Sequence, residues 1–112
     1  MDKVTGIDIS KNTFDASFFN KEEEWEHKVF KNDLNGFKKL IKWSPAKSSF
    51  VMEASGPYYV QLASFLYAEK QSVFVVNPLS IRRYSQMKMY RAKTDKKDAS
   101  TIAEYGSQGV LR

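Results

Sequence analysis

The 112-residue sequence contains no cysteine and a single histidine. The lack of cysteine excludes a disulfide framework, a thiol nucleophile and a zinc site built on thiolates. Apolar runs of the roughly 20 residues that a membrane-spanning helix requires are also missing, and the charged, β-patterned beginning of the chain is unlike a secretory leader. We therefore expect one cytoplasmic domain, residues 1–112, with its own hydrophobic core and no membrane partner.

Basic residues are concentrated in the last third of the chain. The net charge is +5, yet residues 1–78 carry ten basic and ten acidic side chains, whereas residues 79–112 carry eight and three. A concentrated basic segment favours a polyanionic partner such as nucleic acid, although a solvated helix face would show the same pattern. The candidate contacts share this segment and are Arg82, Arg83, Lys88, Arg91, Lys93, Lys96 and Lys97.

Three extended segments open the chain. Val4–Ile9 is a short apolar run, and residues 14–18 and 25–29 alternate with a period of two, which is typical of half-buried strands. Because the connections are short and polar, we predict an antiparallel meander. The histidine, His27, lies on the third segment, where its setting favours a packed or edge residue over a ligand.

Helices and strands then alternate. Asp33 is a predicted helix cap, and Ser49–Glu53 is the next strand. Residues 73–76 form a continuous β-branched and aromatic run, which is typical of a strand covered on both faces. This order predicts an α/β fold with a mixed five-stranded sheet of order 3-2-1-4-5 and helices on both faces, as in ribonuclease H-like proteins.

The end of the chain is predicted to be helical. Asn77 followed by Pro78 is a strong signal for a helix start. A last helix is predicted over residues 94–105, with Gly106 as its C-terminal stop.

Four acidic residues are candidates for one site. Asp8 and Glu53 end the first and fourth strands, so both are expected at the carboxyl edge of the sheet, where α/β proteins build sites. Asp95 and Asp98 are three residues apart and share a helix face. Like charges ~4 Å apart repel by roughly 4 kcal/mol at an effective dielectric of ~20, so convergence would need cations. Mg²⁺ or Mn²⁺ suits carboxylate ligands and promotes phosphodiester cleavage; turn and cap roles are the ordinary alternatives.

Four segments in order resemble the signatures of DEDD-type insertion-sequence transposases, a family that includes pilin-inversion recombinases and bridge-RNA-guided elements. They are Gly6-Ile7-Asp8-Ile9-Ser10-Lys11, Glu53-Ala54-Ser55-Gly56-Pro57-Tyr58, Val75-Val76-Asn77-Pro78 and Arg91-Ala92-Lys93-Thr94-Asp95-Lys96-Lys97-Asp98-Ala99. The resemblance implies a Holliday-junction-resolvase-like variant of the ribonuclease H fold, with the same four acids as a catalytic, metal-binding tetrad. Ser55 stands where the family pattern has threonine.

The resemblance also implies a function. It is metal-dependent DNA strand cleavage and rejoining during transposition, with DNA, in some members a guide RNA, and further copies of the protein as partners. Family members carry a second, C-terminal domain with a serine implicated in cleavage, so residues 1–112 are expected to be the N-terminal domain alone. Two alternatives stay open: a non-catalytic nucleic-acid-binding or dimerisation module, and a ribonuclease or junction resolvase that acts by itself.

Overall fold

The computed structural model describes residues 3–87 and 95–107. Within these residues the elements follow the predicted order of three strands, then alternating helices and strands, then two helices. They are β1 (Val4–Ile9), β2 (Thr13–Phe19), β3 (Trp25–Lys31), α1 (Leu34–Trp43), β4 (Ser49–Glu53), α2 (Val60–Ala68), β5 (Ser72–Val76), α3 (Pro78–Met87) and α4 (Asp95–Ser107).

The strands form one mixed sheet with β1 at its centre. The order is β3-β2-β1-β4-β5, which confirms the prediction. β1 to β3 pair antiparallel as a meander, and β1, β4 and β5 run parallel. The carboxyl ends of the central parallel strands β1 and β4 therefore lie side by side.

Helices cover both faces of the sheet. On one face, α1 and α2 bury Leu40 and Leu62 against Ile7 and Phe14, all four fully buried. On the other face, Ile81 of α3 and Ile102 of α4 pack on Val51 of β4. Successive residues of a strand point to opposite faces, so β1 sends its odd-numbered side chains to α1 and α2 and its even-numbered positions to α4.

The predicted helix starts are confirmed by their hydrogen bonds. The backbone N–H of Gly36 donates to Oδ1 of Asp33 at 2.8 Å, and the backbone N–H of Leu79 donates to Oδ1 of Asn77 at the same distance. These side chains satisfy backbone donors that the first helical turn leaves unpaired.

Two local predictions are wrong. The run at 73–76 does not lie in a strand covered on both faces, because β5 ends the sheet order and Val75 is 42% exposed. Gly106 does not stop the last helix, which continues to Ser107 with Gly106 buried inside it. Among residues 3–87 and 95–107, no helix has both the length and the apolarity to cross a bilayer.

Candidate active site

Asp8 and Glu53 lie on neighbouring strands at the same end of the sheet. The parallel register of β1 and β4 pairs Ile7 with Met52, and continuing it by one residue brings Asp8 level with Glu53. Asp8 follows Gly6 by two residues and Glu53 follows Val51 by two, so both stand on the face covered by α4. Each is partly buried. The structure thus brings together the two strand acids that the sequence singled out.

α4 lies in close backbone contact with β1 at Gly6. A Cβ built on Gly6 would be 2.2 Å from the carbonyl oxygen of Ala99 and 2.3 Å from the backbone nitrogen of Ala103. Only a residue without a side chain allows two backbones to approach this closely. The approach is possible because α4 also presents small, fully buried or nearly buried alanines there.

Residues that line a cavity at the opposite end of the sheet show in which direction α4 runs. An apolar cavity of about 890 Å³ is lined there by Lys3 and Val4 from the start of β1, and by Glu104 and Ser107 from the end of α4. The helix therefore runs antiparallel to β1. Its first residue, Asp95, lies at the end of the sheet where β1 and β4 finish.

The helix geometry brings residues 95 and 98 to the level of the strand acids. From Gly6 to Asp8 the strand advances by about 6.6 Å, and from Ala99 back to residue 95 the helix advances by about 6 Å. Residue 98 precedes buried Ile102 by one turn and shares its helix face. The side chains of Asp95 and Asp98 lie outside the described part of the structure, so their place in the site stays a prediction.

A third strand acid, which the sequence analysis did not single out, stands beside Asp8. Asp15 of β2 pairs directly with Asp8 in the antiparallel register, and directly paired residues share a face of the sheet. It is 8% exposed, and its Oδ1 accepts a hydrogen bond from Nε2 of His27 at 3.0 Å. The signal for Asp15 was present in the alternation of residues 14–18, which sends an acid to the face opposite Phe14.

The three acids Asp15, Asp8 and Glu53 form a row rather than a cluster. They occupy adjacent strands, whose spacing is about 4.8 Å. Consistent with this separation, among the side chains that the structure describes, which do not include those of residues 95–98, no three acidic or histidine side chains are close enough to hold one metal ion. A complete cation site would therefore need ligands from beyond this row.

The two central acids suit a hard divalent cation. Carboxylate oxygens are the preferred ligands of Mg²⁺ and Mn²⁺, and Asp8 and Glu53 present them side by side at an edge that a helix N-terminus approaches. Asp95 and Asp98 would add two further carboxylates from that helix. The chemistry of this donor set thus fits such an ion.

The predicted nucleic-acid contacts fall largely outside the described residues. Arg83 is exposed on α3. Arg82 lies in α3, and Lys96 and Lys97 lie in the first turn of α4, but their side chains are not described; residues 88, 91 and 93 lie outside the description. Lys96 and Lys97 directly follow Asp95 in the sequence, at the end of α4 that lies nearest to Asp8 and Glu53.

The fold is shared with a solved structure of very different sequence. The structure is similar to that of T. thermophilus RuvC in complex with Holliday junction substrate, with a TM-score of 0.64 at 10% sequence identity, covering 99% of this chain and 98% of that one. At this identity the likeness shows the fold alone. It confirms the predicted ribonuclease H-like, resolvase-like class.

The family follows from the sequence comparison. Residues 5–112 match the profile of the DEDD transposases, and the chain belongs to this transposase family. It is 38% identical over 109 residues to the pilin gene-inverting proteins of Moraxella bovis and Moraxella lacunata, a match covering 92% of this chain. The chain spans about a third, 34%, of the length of these relatives.

Proposed function

We propose that residues 1–112 are the divalent-metal-dependent DNA-processing domain of a transposase. The observation that carries the proposal is the position of Asp8 and Glu53, each one residue beyond the last paired residues of β1 and β4 (Ile7 and Met52), on the sheet face against which α4 packs. Membership of the transposase family supplies the reaction class, which is cleavage and rejoining of DNA strands.

The acids of the chain have a defined part in this chemistry. Asp8 and Glu53, with Asp95 and Asp98 from the start of α4, would hold Mg²⁺ or Mn²⁺. A bound ion of this kind polarises a phosphodiester and activates an attacking oxygen. The carboxylates would orient the ion and offset its charge, and the close approach of α4 to β1 at Gly6 sets the distance between the helix and the strand acids.

DNA is the proposed substrate. The related RuvC fold is described in complex with a Holliday junction, and the pilin gene-inverting relatives act on a gene. Because the chain spans a third of those relatives, complete recombination is proposed to require a further domain and more than one copy of the protein, with a guide RNA as a further partner in the guided type. A binding module without catalytic activity is the alternative that the experiments below distinguish.

Replacing Asp95 with asparagine tests the proposed site from the helix side. Wild-type chain is expected to bind Mg²⁺ or Mn²⁺ saturably in a calorimetric titration, alone or with a four-way DNA junction present. The variant is expected to lose most of this binding, because it removes one charged oxygen ligand from α4. Glu104→Gln, near the other end of the same helix, is the matched control for the loss of one carboxylate and should bind as wild type does.

The outcomes of this titration separate the two functions. If the cation binds equally well with asparagine at position 95, the site does not include α4 and the four-acid assignment is wrong. If the wild-type chain binds DNA but no divalent cation under either condition, the chain is a nucleic-acid-binding module and the catalytic proposal fails.

Neutralising four basic residues around the start of α4 tests the DNA contact. The variant carries glutamine at Arg91, Lys93, Lys96 and Lys97. If all four contact phosphates, the slope of log affinity against log salt should fall by about 3 to 4, since each duplex phosphate contact contributes about 0.9. Filter binding or fluorescence anisotropy across a salt series measures the slope.

A second quartet controls for net charge. It consists of four exposed lysines in and after α1, namely Lys38, Lys39, Lys42 and Lys47. Replacing these with glutamine removes the same charge away from the proposed site and should change the slope much less. Equal slopes for the two quartets would show that binding follows net charge rather than the segment near α4.

A further inference from the structure

Asp15 and His27 form a polar pair that the proposed four-acid site does not use. The two residues come from β2 and β3, and the hydrogen bond from Nε2 of His27 to Oδ1 of Asp15 measures 3.0 Å. Only 11% of the Asp15 side chain and 17% of the His27 side chain are exposed. A nearly buried carboxylate is costly to maintain unless hydrogen bonds and charges compensate it, and His27 supplies one such hydrogen bond.

The position of Asp15 relative to Asp8 relates the pair to the proposed cation site. The two acids are direct partners across β1 and β2, where Cβ atoms are typically 4.5–5.5 Å apart. Like charges directly opposite each other destabilise a strand pair. A cation at Asp8 would turn this repulsion into attraction, because both carboxylates would then face the same positive charge.

Asp15 is nevertheless badly placed to be a direct ligand together with both other acids of the row. Asp15 and Glu53 flank Asp8 from opposite sides, about two strand spacings or roughly 10 Å apart along the sheet. Among the described residues, no three acids come close enough to surround one ion. An acid one strand away from the ligands can act instead on the water that Mg²⁺ retains in its coordination shell.

We propose that Asp15, oriented by His27, is a positioning residue of the cation site, accepting hydrogen bonds from water on an ion held by Asp8. This inference rests on the proposed function, and it extends the site from β1 and β4 to the meander strands β2 and β3. Such outer carboxylates orient ligands and raise metal affinity, and their loss commonly costs 10- to 100-fold in affinity. The nitrogen of His27 fixes the carboxylate so that it faces the site in one orientation.

The test compares divalent-cation affinity among single variants of the 112-residue chain. Asp15→Asn keeps the size of the side chain and removes its charge, and it is expected to weaken Mg²⁺ or Mn²⁺ binding at least about ten-fold in a calorimetric titration. Glu26→Gln is the matched control. Glu26 is exposed on β3 beside His27 and faces the other side of the sheet. The Glu26→Gln variant should therefore bind the cation as tightly as the wild-type chain does.

Two variants of His27 separate positioning from a purely structural role. His27→Gln retains an N–H donor and should keep most of the affinity, whereas His27→Phe cannot donate and should approach the affinity of Asp15→Asn. Thermal melting in EDTA is recorded for every variant. A structural pair would lower the melting temperature without changing cation affinity; a positioning pair lowers affinity in variants that remain folded. If Asp15→Asn does not fold, the two His27 variants decide.

The failure of this inference differs from the failure of the proposed function. Loss of binding in Asp8→Asn with wild-type affinity in Asp15→Asn or His27→Phe would overturn the role of Asp15 and leave the proposed site intact. If wild-type chain binds no divalent cation, with or without a DNA junction, both the proposed function and this inference are wrong.

Discussion

Asp8→Asn is expected to reduce divalent-cation binding by the chain below detection. Asp8 stands between Asp15 and Glu53 in the row across β2, β1 and β4. Both other carboxylates of the row are therefore its direct neighbours. Asparagine keeps the shape of the side chain but contributes a neutral oxygen, which attracts a hard dication far less. Calorimetry with Mg²⁺ and Mn²⁺ measures the loss.

The fold should survive this substitution. Asparagine removes one of two like charges that face each other across β1 and β2, a repulsion of ~3 kcal/mol for charges ~5 Å apart at an effective dielectric of ~20. Melting in EDTA should therefore show no large loss of stability. Glu26→Gln, the same chemical change on the other sheet face, should change neither quantity. Cation binding that persists with asparagine at position 8 would move the site away from this edge of the sheet.

Gly6→Ala is expected to destabilise the chain by at least about 3 kcal/mol, at the upper end for overpacking of a core. The added methyl group would lie 2.2 Å from the carbonyl oxygen of Ala99 and 2.3 Å from the nitrogen of Ala103. Both are backbone atoms, so truncating a side chain on α4 cannot relieve the clash and the helix must move. Because residues 95 and 98 lie on α4, cation affinity should fall together with stability.

Gly56→Ala provides the comparison for Gly6→Ala. No atom lies within 4 Å of a Cβ built on Gly56, whose φ is +74°, so this change costs only backbone strain of about 1–2 kcal/mol. Urea unfolding measures both variants, and the cation titration is repeated on each. Similar small losses in the two variants, with cation affinity retained, would show that α4 does not pack against β1 as described.

Local patterns predicted most of the fold. The caps at Asp33 and Asn77 depend on hydrogen bonds within three residues, and alternation within β2 depends on one strand, so both are visible without any tertiary information. The order of elements then restricted the sheet to few arrangements, since antiparallel connections are short and parallel ones need crossovers. Asp8 and Glu53 were identifiable because Glu53 ends its strand and Asp8 lies one residue before the end of its own.

The two local errors have a common cause. A β-branched run is compatible with both a covered strand and an edge strand, and the position of β5 at the end of the sheet is decided by the other strands. A glycine such as Gly106 is compatible both with a helix stop and with close packing inside a helix. Because α4 is buried against the sheet, the helix continues through Gly106. Tertiary contacts overrode local propensity in each case.

The sequence by itself determined the elements, the caps and the acids at the strand ends, because these depend on neighbours along the chain and on side-chain periodicity. The tertiary structure decided what lies beside those acids. Asp15 became the neighbour of Asp8 through the register of β1 and β2, and His27 reached Asp15 from a third strand. The approach of α4 to Gly6, which brings the start of that helix to the same edge, joins positions more than 90 residues apart. Such contacts depend on strand register and on backbone packing distance, and neither quantity is encoded in a local pattern of residues.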